Sequence, residues 1–353
     1  MDTEVQNTNL VAVSFQNGIG NFIMLTPAIQ ALAELYNAKV DIVLDNSWRD
    51  SRRESIEEFG RLWPLVNEVI NFQDGFDKDK YKMLFYSNHG ETSEASTYFK
   101  THSPMAPVHI NWRVSKAHEV DFYMEDVRNL GYTGKTPKQY TINGHDGASG
   151  RYNTILYLGN SRYFRVGICN GLFAGSKWRW ERKGYPHYEK LVDMLYDYYG
   201  GEIRIYLFGK GEREQEWASR VKEGREYVFN TVDKLSLNGC VQIMKRLHLF
   251  ITTDTGLMHV CDALEKQMLV LFGPTLVSKN GPYNSMGKIC KSAIKCSPCQ
   301  QTPFFHACEK FECMERLTPD MVFTDIREYV RELVYNYRLQ IGKNGEEIKP
   351  CLL

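Results

Sequence analysis

The segment Thr252-Thr253-Asp254-Thr255-Gly256-Leu257-Met258-His259 sets hydroxyls, a carboxylate and a glycine directly after the apolar run Leu249–Ile251. A strand that ends in such a turn and runs into a helix offers backbone N–H groups to an anion, and glycine lets the anion come close. In an open parallel sheet this turn lies at the carboxyl end of a strand, where ligands bind. The same residues also suit an ordinary capped helix, with Asp254 or Thr255 as N-cap. Four cysteines, Cys296, Cys299, Cys308 and Cys313, fall close together with His306 nearby. One CxxC pair plus two further thiols reads either as a tetrahedral zinc site or as a reduced or disulfide-prone loop, since a second tight pair is missing.

The elements that must position these groups alternate. Leu10–Phe15 reads as a buried strand, followed by the turn Asn17-Gly18-Ile19-Gly20, a helix over about 21–36 and a strand at Val40–Leu44. That order is a βαβ unit and implies a parallel sheet with helices on its faces. More strands are expected at 68–72 and 82–86, with a helix at 120–130. Residues 133–162 carry little periodicity and mark a domain boundary. Beyond them the alternation restarts, with strands at 164–169, 203–208, 249–252 and 268–272 and helices at 188–199, 213–222, 237–247 and 258–264. The division expected is 1–155, 156–325 and a C-terminal helix and tail, 326–353, that packs back on the first domain.

A chain of 353 residues is long enough for two such domains, and 43% hydrophobic with 24% charged residues is the composition of a soluble globular protein. No run approaches the roughly 18–20 apolar residues of a membrane span. The polar start Met1–Gln6 is unlike a secretory signal, so a cytoplasmic protein is expected. Nine cysteines, five of them dispersed, fit a reducing compartment. Net charge is +0, but residues 1–150 carry a balance of −6 and residues 151–353 one of +6, which favours the second half as the home of an anion.

The turn at Asp254 continues into Ala263-Leu264 and Leu271-Phe272-Gly273-Pro274-Thr275. The whole resembles the "D-S/T-G-x-M-H … A-L … LFGPT" signature of the family 9 glycosyltransferases, which include the ADP-heptose:lipopolysaccharide heptosyltransferases. Gly18-Ile19-Gly20-Asn21 through Thr26-Pro27-Ala28 resembles that family's N-terminal motif. Gly175 through Lys183-Gly184-Tyr185-Pro186 and the cysteine block ending at Leu317-Thr318-Pro319 resemble two more. The likeness spans about residues 10–325. It implies an α/β GT-B fold, two Rossmann-like domains with parallel sheets facing across a cleft, the first binding the acceptor and the second the donor.

The resemblance further implies an inverting sugar transfer that requires no metal. Asp254, Thr255, Gly256, Met258 and His259 would form the diphosphate turn, the last two through backbone N–H. Lys183 matches the lysine that reaches the donor phosphates, with Lys177 a second candidate, and Glu212 matches an acidic residue near the donor nucleoside. Each lysine equally suits a solvated surface, and Glu212 a plain helix start. Gly18 and Gly20 fall on the acceptor side. The heptosyltransferases carry an aspartate, a favoured base, where this chain has Asn21, and an amide can position a hydroxyl but takes no proton at neutral pH. Asp45, at the end of a strand, and His89 are the alternatives for that role.

Residues 95–118 hold Lys100, Arg113, Lys116 and three histidines among aromatics, with no acid. Such a window, Arg113 included, suits a phosphorylated saccharide or single-stranded nucleic acid, or is a covering loop. A nucleotide-sugar donor and a saccharide acceptor are therefore the expected partners. The competing readings are transfer to a nucleic-acid base and a non-catalytic sugar-nucleotide-binding protein. A cytoplasmic protein peripheral to a membrane, with a structural zinc on the four cysteines, completes the expectation.

Overall fold

The computed structural model describes residues 9–45, 51–87, 93–104, 117–142, 163–172, 180–284 and 287–344. The chain divides into two units, Met1–Gly144 with Ser278–Asn284, and His145–Val277 with Ser285–Leu353.

In the first unit β1 (Leu10–Ser14), β2 (Lys39–Leu44), β3 (Val66–Asn71) and β4 (Met83–Tyr86) form a parallel sheet of order β3-β2-β1-β4. Strands buried along nearly their whole length, as β1, β2 and β4 are, need cover on both faces. Helices α1 (Ile19–Tyr36), α2 (Ser51–Leu62), α3 (Glu94–His102) and α4 (Glu119–Asn129) follow in chain order, and α1 packs along α4.

Helix α1 contains Pro27, which has no N–H to offer the carbonyl of Ile23. The Thr26 hydroxyl donates to that carbonyl at 2.7 Å instead, and its oxygen accepts from the Tyr140 N–H at 2.8 Å. The Thr-Pro pair is thus a repaired helix turn that also anchors a later segment. At the other end Asn37 adopts φ 44° and donates to the carbonyls of Ala33 and Glu34, which closes the helix. Residues 94–102, which include the start of the window 95–118 read above as a binding segment or a covering loop, are helical, and the Ser93 hydroxyl caps them by accepting from the Ser96 N–H at 3.1 Å.

The second unit holds β5 (Phe164–Cys169), β6 (Ile203–Phe208), β7 (Val228–Asn230), β8 (Leu249–Thr253), β9 (Met268–Leu271) and β10 (Lys288–Cys290). Every pairing is parallel, and the order is β10-β9-β8-β5-β6-β7. Counted from β5 this is the 3-2-1-4-5-6 order of a dinucleotide-binding sheet, and the direction of winding reverses between β5 and β8. Helices α5 (Tyr188–Tyr199), α6 (Glu212–Lys222), α7 (Leu237–Met244) and α8 (Gly256–Ala263) connect the strands. Helix α9 (Pro319–Asn344) begins before residue 326 and packs on α5, and Val322, Ile326, Tyr329 and Val330 join the core of this second unit.

Candidate active site

In the second unit the loops after β5 and β8 meet where the winding reverses. Thr252 and Thr253 are wholly buried, and the Thr253 hydroxyl donates to the carbonyl of Asn170, one residue past β5, at 2.7 Å. Gly171 follows at φ +72°, and a Cβ there would stand 2.2 Å from Thr255 Cγ2. Only glycine lets the two loops close on each other. Thr255 is the N-cap of α8, its hydroxyl accepting from the Met258 N–H at 3.3 Å. Capping and anion binding are therefore not alternatives here. The cap holds one N–H and leaves the helix end, with its partial positive charge, at the carboxyl edge of the sheet.

Asn170 does a second job. Its Oδ1 accepts from the Tyr185 N–H at 2.7 Å and its Nδ2 donates to the Tyr185 carbonyl at 3.2 Å. That clamp fixes the strand of chain carrying Lys183, whose Nζ lies 3.3 Å from Asp254 Oδ2. Both side chains are mostly buried, at 16% and 10% exposure, so this pair feels a lower dielectric than a surface ion pair. Of the residues singled out in the second half, the structure brings Lys183, Asp254, Thr255 and Gly256 together. Met258 and His259 have buried side chains, and the Met258 N–H is the one taken by the Thr255 cap. Lys177 lies outside the described residues.

Glu212 is exposed at the start of α6. The carboxylate that reaches the β5 loop is Glu214, whose Oε1 accepts from the Leu172 N–H at 2.6 Å. Burial pushes Glu214 up to about 7, against the Leu172 and Gly171 N–H bonds, which draw it down. Its signal was present in the sequence: Glu214, Trp217, Ala218 and Val221 share the buried stripe of α6, and an acid on an apolar stripe needs a partner.

Cys296, Cys299, Cys308 and Cys313 line one pocket of about 380 Å³ together with Arg182 and Phe311. Among the described residues no group of three or more His, Cys, Asp or Glu side chains is arranged to hold a metal, so the zinc tetrahedron expected from the spacing is not assembled. The block is pinned elsewhere. The Cys299 N–H donates to the Pro274 carbonyl, Ser297 Oγ donates to the Gly273 carbonyl, and Met314, next to Cys313, lies in the core. Arg182 is buried at 3% exposure and sits over the rings of Phe305 and Phe311.

In the first unit the turn after β1 lies beside the corresponding reversal, between β1 and β4. Gly18 is the N-cap of α1 and Gly20 is buried in its first turn. Asn21 Nδ2 donates to Glu119 Oε2 at 2.7 Å. Asp45 is 1% exposed and accepts from the Ala95 N–H at 3.1 Å, so it braces the start of α3. Arg113 and His89 lie outside the described residues. Glu119 was not singled out in the sequence, because ninety-eight positions separate it from Asn21.

A sequence model described as glycosyltransferase family 9 (heptosyltransferase) matches residues 169–307, a span that begins at the end of β5 and contains both interlocked loops. Over that span the second unit is similar to the family 9, heptosyltransferase-like glycosyltransferases. The lipooligosaccharide heptosyltransferase 2 of Campylobacter jejuni is 26% identical over 185 residues, covering 50% of this chain and 55% of that protein. The lipopolysaccharide heptosyltransferase 1 of Escherichia coli K12 is 31% identical over 106 residues, 30% of this chain and 32% of that one. The chain thus spans about half the length, or less, of the curated relatives it matches. The likeness of fold reaches further. The E. coli ADP-heptose lps heptosyltransferase II has a TM-score of 0.64 at 18% identity, covering 91% of this chain and 98% of that one. A glycosyltransferase of family 9 from Veillonella parvula gives 0.60 at 18% identity over 81% and 86%. Two parallel-sheet α/β units of this kind are the GT-B fold.

Proposed function

We propose that the protein transfers a sugar of the heptose class from an ADP-sugar to a saccharide acceptor of the lipopolysaccharide core, with inversion at the anomeric carbon. The observation that carries the reading is the Lys183–Asp254 pair beside the N-terminus of α8, where β5 and β8 part. Asp254 holds the ammonium in place, and the ammonium with the helix end stabilises charge growing on a departing diphosphate. Those two sources of positive potential supply the stabilisation without a metal ion in the chemistry. The donor belongs to the second unit, and the acceptor to the turn after β1 in the first. Glu214 and the Gly171–Leu172 loop lie on the donor side, where the nucleoside of such a donor is expected.

Among the described residues no helix is long and apolar enough to cross a membrane, which suits a cytoplasmic enzyme that meets its acceptor at a membrane surface. The relatives above are heptosyltransferases by name, and nothing in them favours a nucleic-acid acceptor or a non-catalytic role.

Calorimetric titration of the purified chain with ADP, UDP, GDP and CDP tests the donor. ADP is expected to bind, with affinity lowered about tenfold or more in Lys183→Ala. Release of ADP from ADP-heptose in the presence of heptose-deficient lipopolysaccharide tests the transfer. Failure of all four nucleotides to bind would sink the proposal.

A further inference from the structure

Arg182 and Lys183 are consecutive, yet they serve different places. Lys183 reaches Asp254, whereas Arg182 lines the pocket of about 380 Å³ beside the cysteine block, within the second unit. Arg182 is 3% exposed, and its Nε and Nη1 are buried without a hydrogen-bond partner. The rings of Phe305 and Phe311 lie 5.2 and 5.9 Å from its guanidinium carbon. An aromatic face attracts a cation but gives its N–H groups no lone pair in the guanidinium plane.

A guanidinium stays charged across the pH range of a folded protein, so it cannot escape the cost of burial by losing its proton. Among the described residues no acid forms an ion pair with it. Of the two acids on the pocket lining, Glu309 is exposed and Glu312 pairs with Arg316 at 2.8 Å. The buried thiols do not supply the counter-charge either. Burial pushes Cys313 up to about 11, and it raises Cys299 against the lowering effect of Arg182, so both are protonated at neutral pH.

The walls, by contrast, are already tied together. The Pro274 carbonyl takes the Cys299 and Gln300 N–H groups at 3.0 and 2.8 Å, and Ser297 Oγ donates to the Gly273 carbonyl at 2.6 Å. Ser292 Oγ donates to the Cys313 carbonyl at 2.8 Å. Phe311 stands at φ +48°, a region costly for a bulky side chain, and such strain persists only where the surroundings over-determine it. The cavity is built before anything enters it, and its volume falls within the roughly 300–1,000 Å³ of small-molecule sites.

We infer that this pocket binds a small organic carboxylate, its charge against Arg182 and its apolar body against Pro274, Ile294, Ala307 and Phe311. One buried cation matches one negative charge, and the two glutamates on the lining oppose a dianion such as a phosphate ester. The site is separate from the diphosphate edge and does not rest on the proposed transfer.

The test follows the melting temperature of the full chain in a buffer free of carboxylates and phosphate. The probes are straight-chain carboxylates from acetate to octanoate, their primary amides, and inorganic phosphate. At saturation at least one carboxylate is expected to raise the melting temperature by about 2 °C or more, because it binds the folded chain alone. Its amide is expected to leave the temperature unchanged. Arg182→Met removes the cation but keeps an unbranched stem, and is expected to weaken binding about tenfold or more. Ala307→Phe, at an exposed position on the pocket wall, fills the space with Arg182 intact and is expected to weaken binding as much. No rise with any carboxylate overturns the inference, as does an equal rise with the amide or a rise with phosphate alone. Binding that Arg182→Met retains also overturns it, and if that chain does not fold, binding that Ala307→Phe retains does so. ADP binding decides the proposed transfer separately, and each of these failures leaves it standing.

Discussion

Asn170 grips the backbone of Tyr185 from both sides, its carbonyl oxygen taking the N–H at 2.7 Å and its amide giving to the C=O at 3.2 Å. One buried side chain thereby ties the end of β5 to the segment that delivers Lys183. Asn170→Ala leaves both main-chain groups without that partner, at about 1–3 kcal/mol for each buried group. Urea denaturation is expected to show a loss of about 2–4 kcal/mol. ADP affinity is expected to fall with it, because Lys183 is no longer held. Unchanged stability would mean that the loops are fixed by other contacts.

Glu214 predicts a pH dependence of stability. Burial raises its carboxyl from 4.5 to about 7, opposed by the N–H bonds from Leu172 and Gly171 and helped by Asp233. Between those two values the native chain keeps a proton that the unfolded chain has released. The stabilisation is complete below the unfolded value and is lost as pH rises through about 7. Glu214→Gln cannot ionise. The stability of the wild type relative to this variant should therefore drop by about 2–3 kcal/mol between roughly pH 4.5 and pH 8. Parallel denaturation curves at both ends of that range would show that the side chain moves to water when charged.

Thr26 is the third test. Val is nearly isosteric but has no hydroxyl, so Thr26→Val leaves the Ile23 carbonyl beneath Pro27 and the Tyr140 N–H unmatched. The expected loss is about 1–3 kcal/mol by denaturation, and Thr26→Ser should recover most of it. Equal stability of the Val and Ser variants would assign the stability of this turn to packing alone.

Much of the architecture was legible because it depends on local pattern. β5, β6, β8 and β9 are apolar runs bounded by turns, and all stand where periodicity put them. The strands β7 and β10 have three residues each, too few for a period to register. Helix α2 reads Ser-Arg-Arg-Glu-Ser-Ile-Glu-Glu-Phe-Gly-Arg-Leu, mostly polar, and among its described side chains only Ile56, Phe59 and Gly60 are buried. At the site, the turn of Asp254 was visible because its chemistry is contiguous in the chain. The residues that complete it were not, because Asn170 and Tyr185 meet across a loop. In the first unit, likewise, Glu119 meets Asn21 only once α4 has packed on α1. The spacing of the four cysteines left a metal site and a plain thiol loop both open, and the backbone bonds of Cys299 and the core burial of Met314, which no spacing reports, hold the block in place.

Residues 278–284 belong with the first unit although they are encoded within the second half. Asn280 serves Glu119, Tyr283 gives its hydroxyl to Asp121 at 2.7 Å, and Asn284 bonds Gln139. A gene fusion that joined the first 144 codons to the second half of a relative would import a foreign version of this segment. Shuffling halves to change the donor would therefore also rewrite the neighbourhood of Asn21. An exchange that keeps the first unit intact needs junctions on both sides of 278–284, and under the function proposed above it would otherwise change both specificities together.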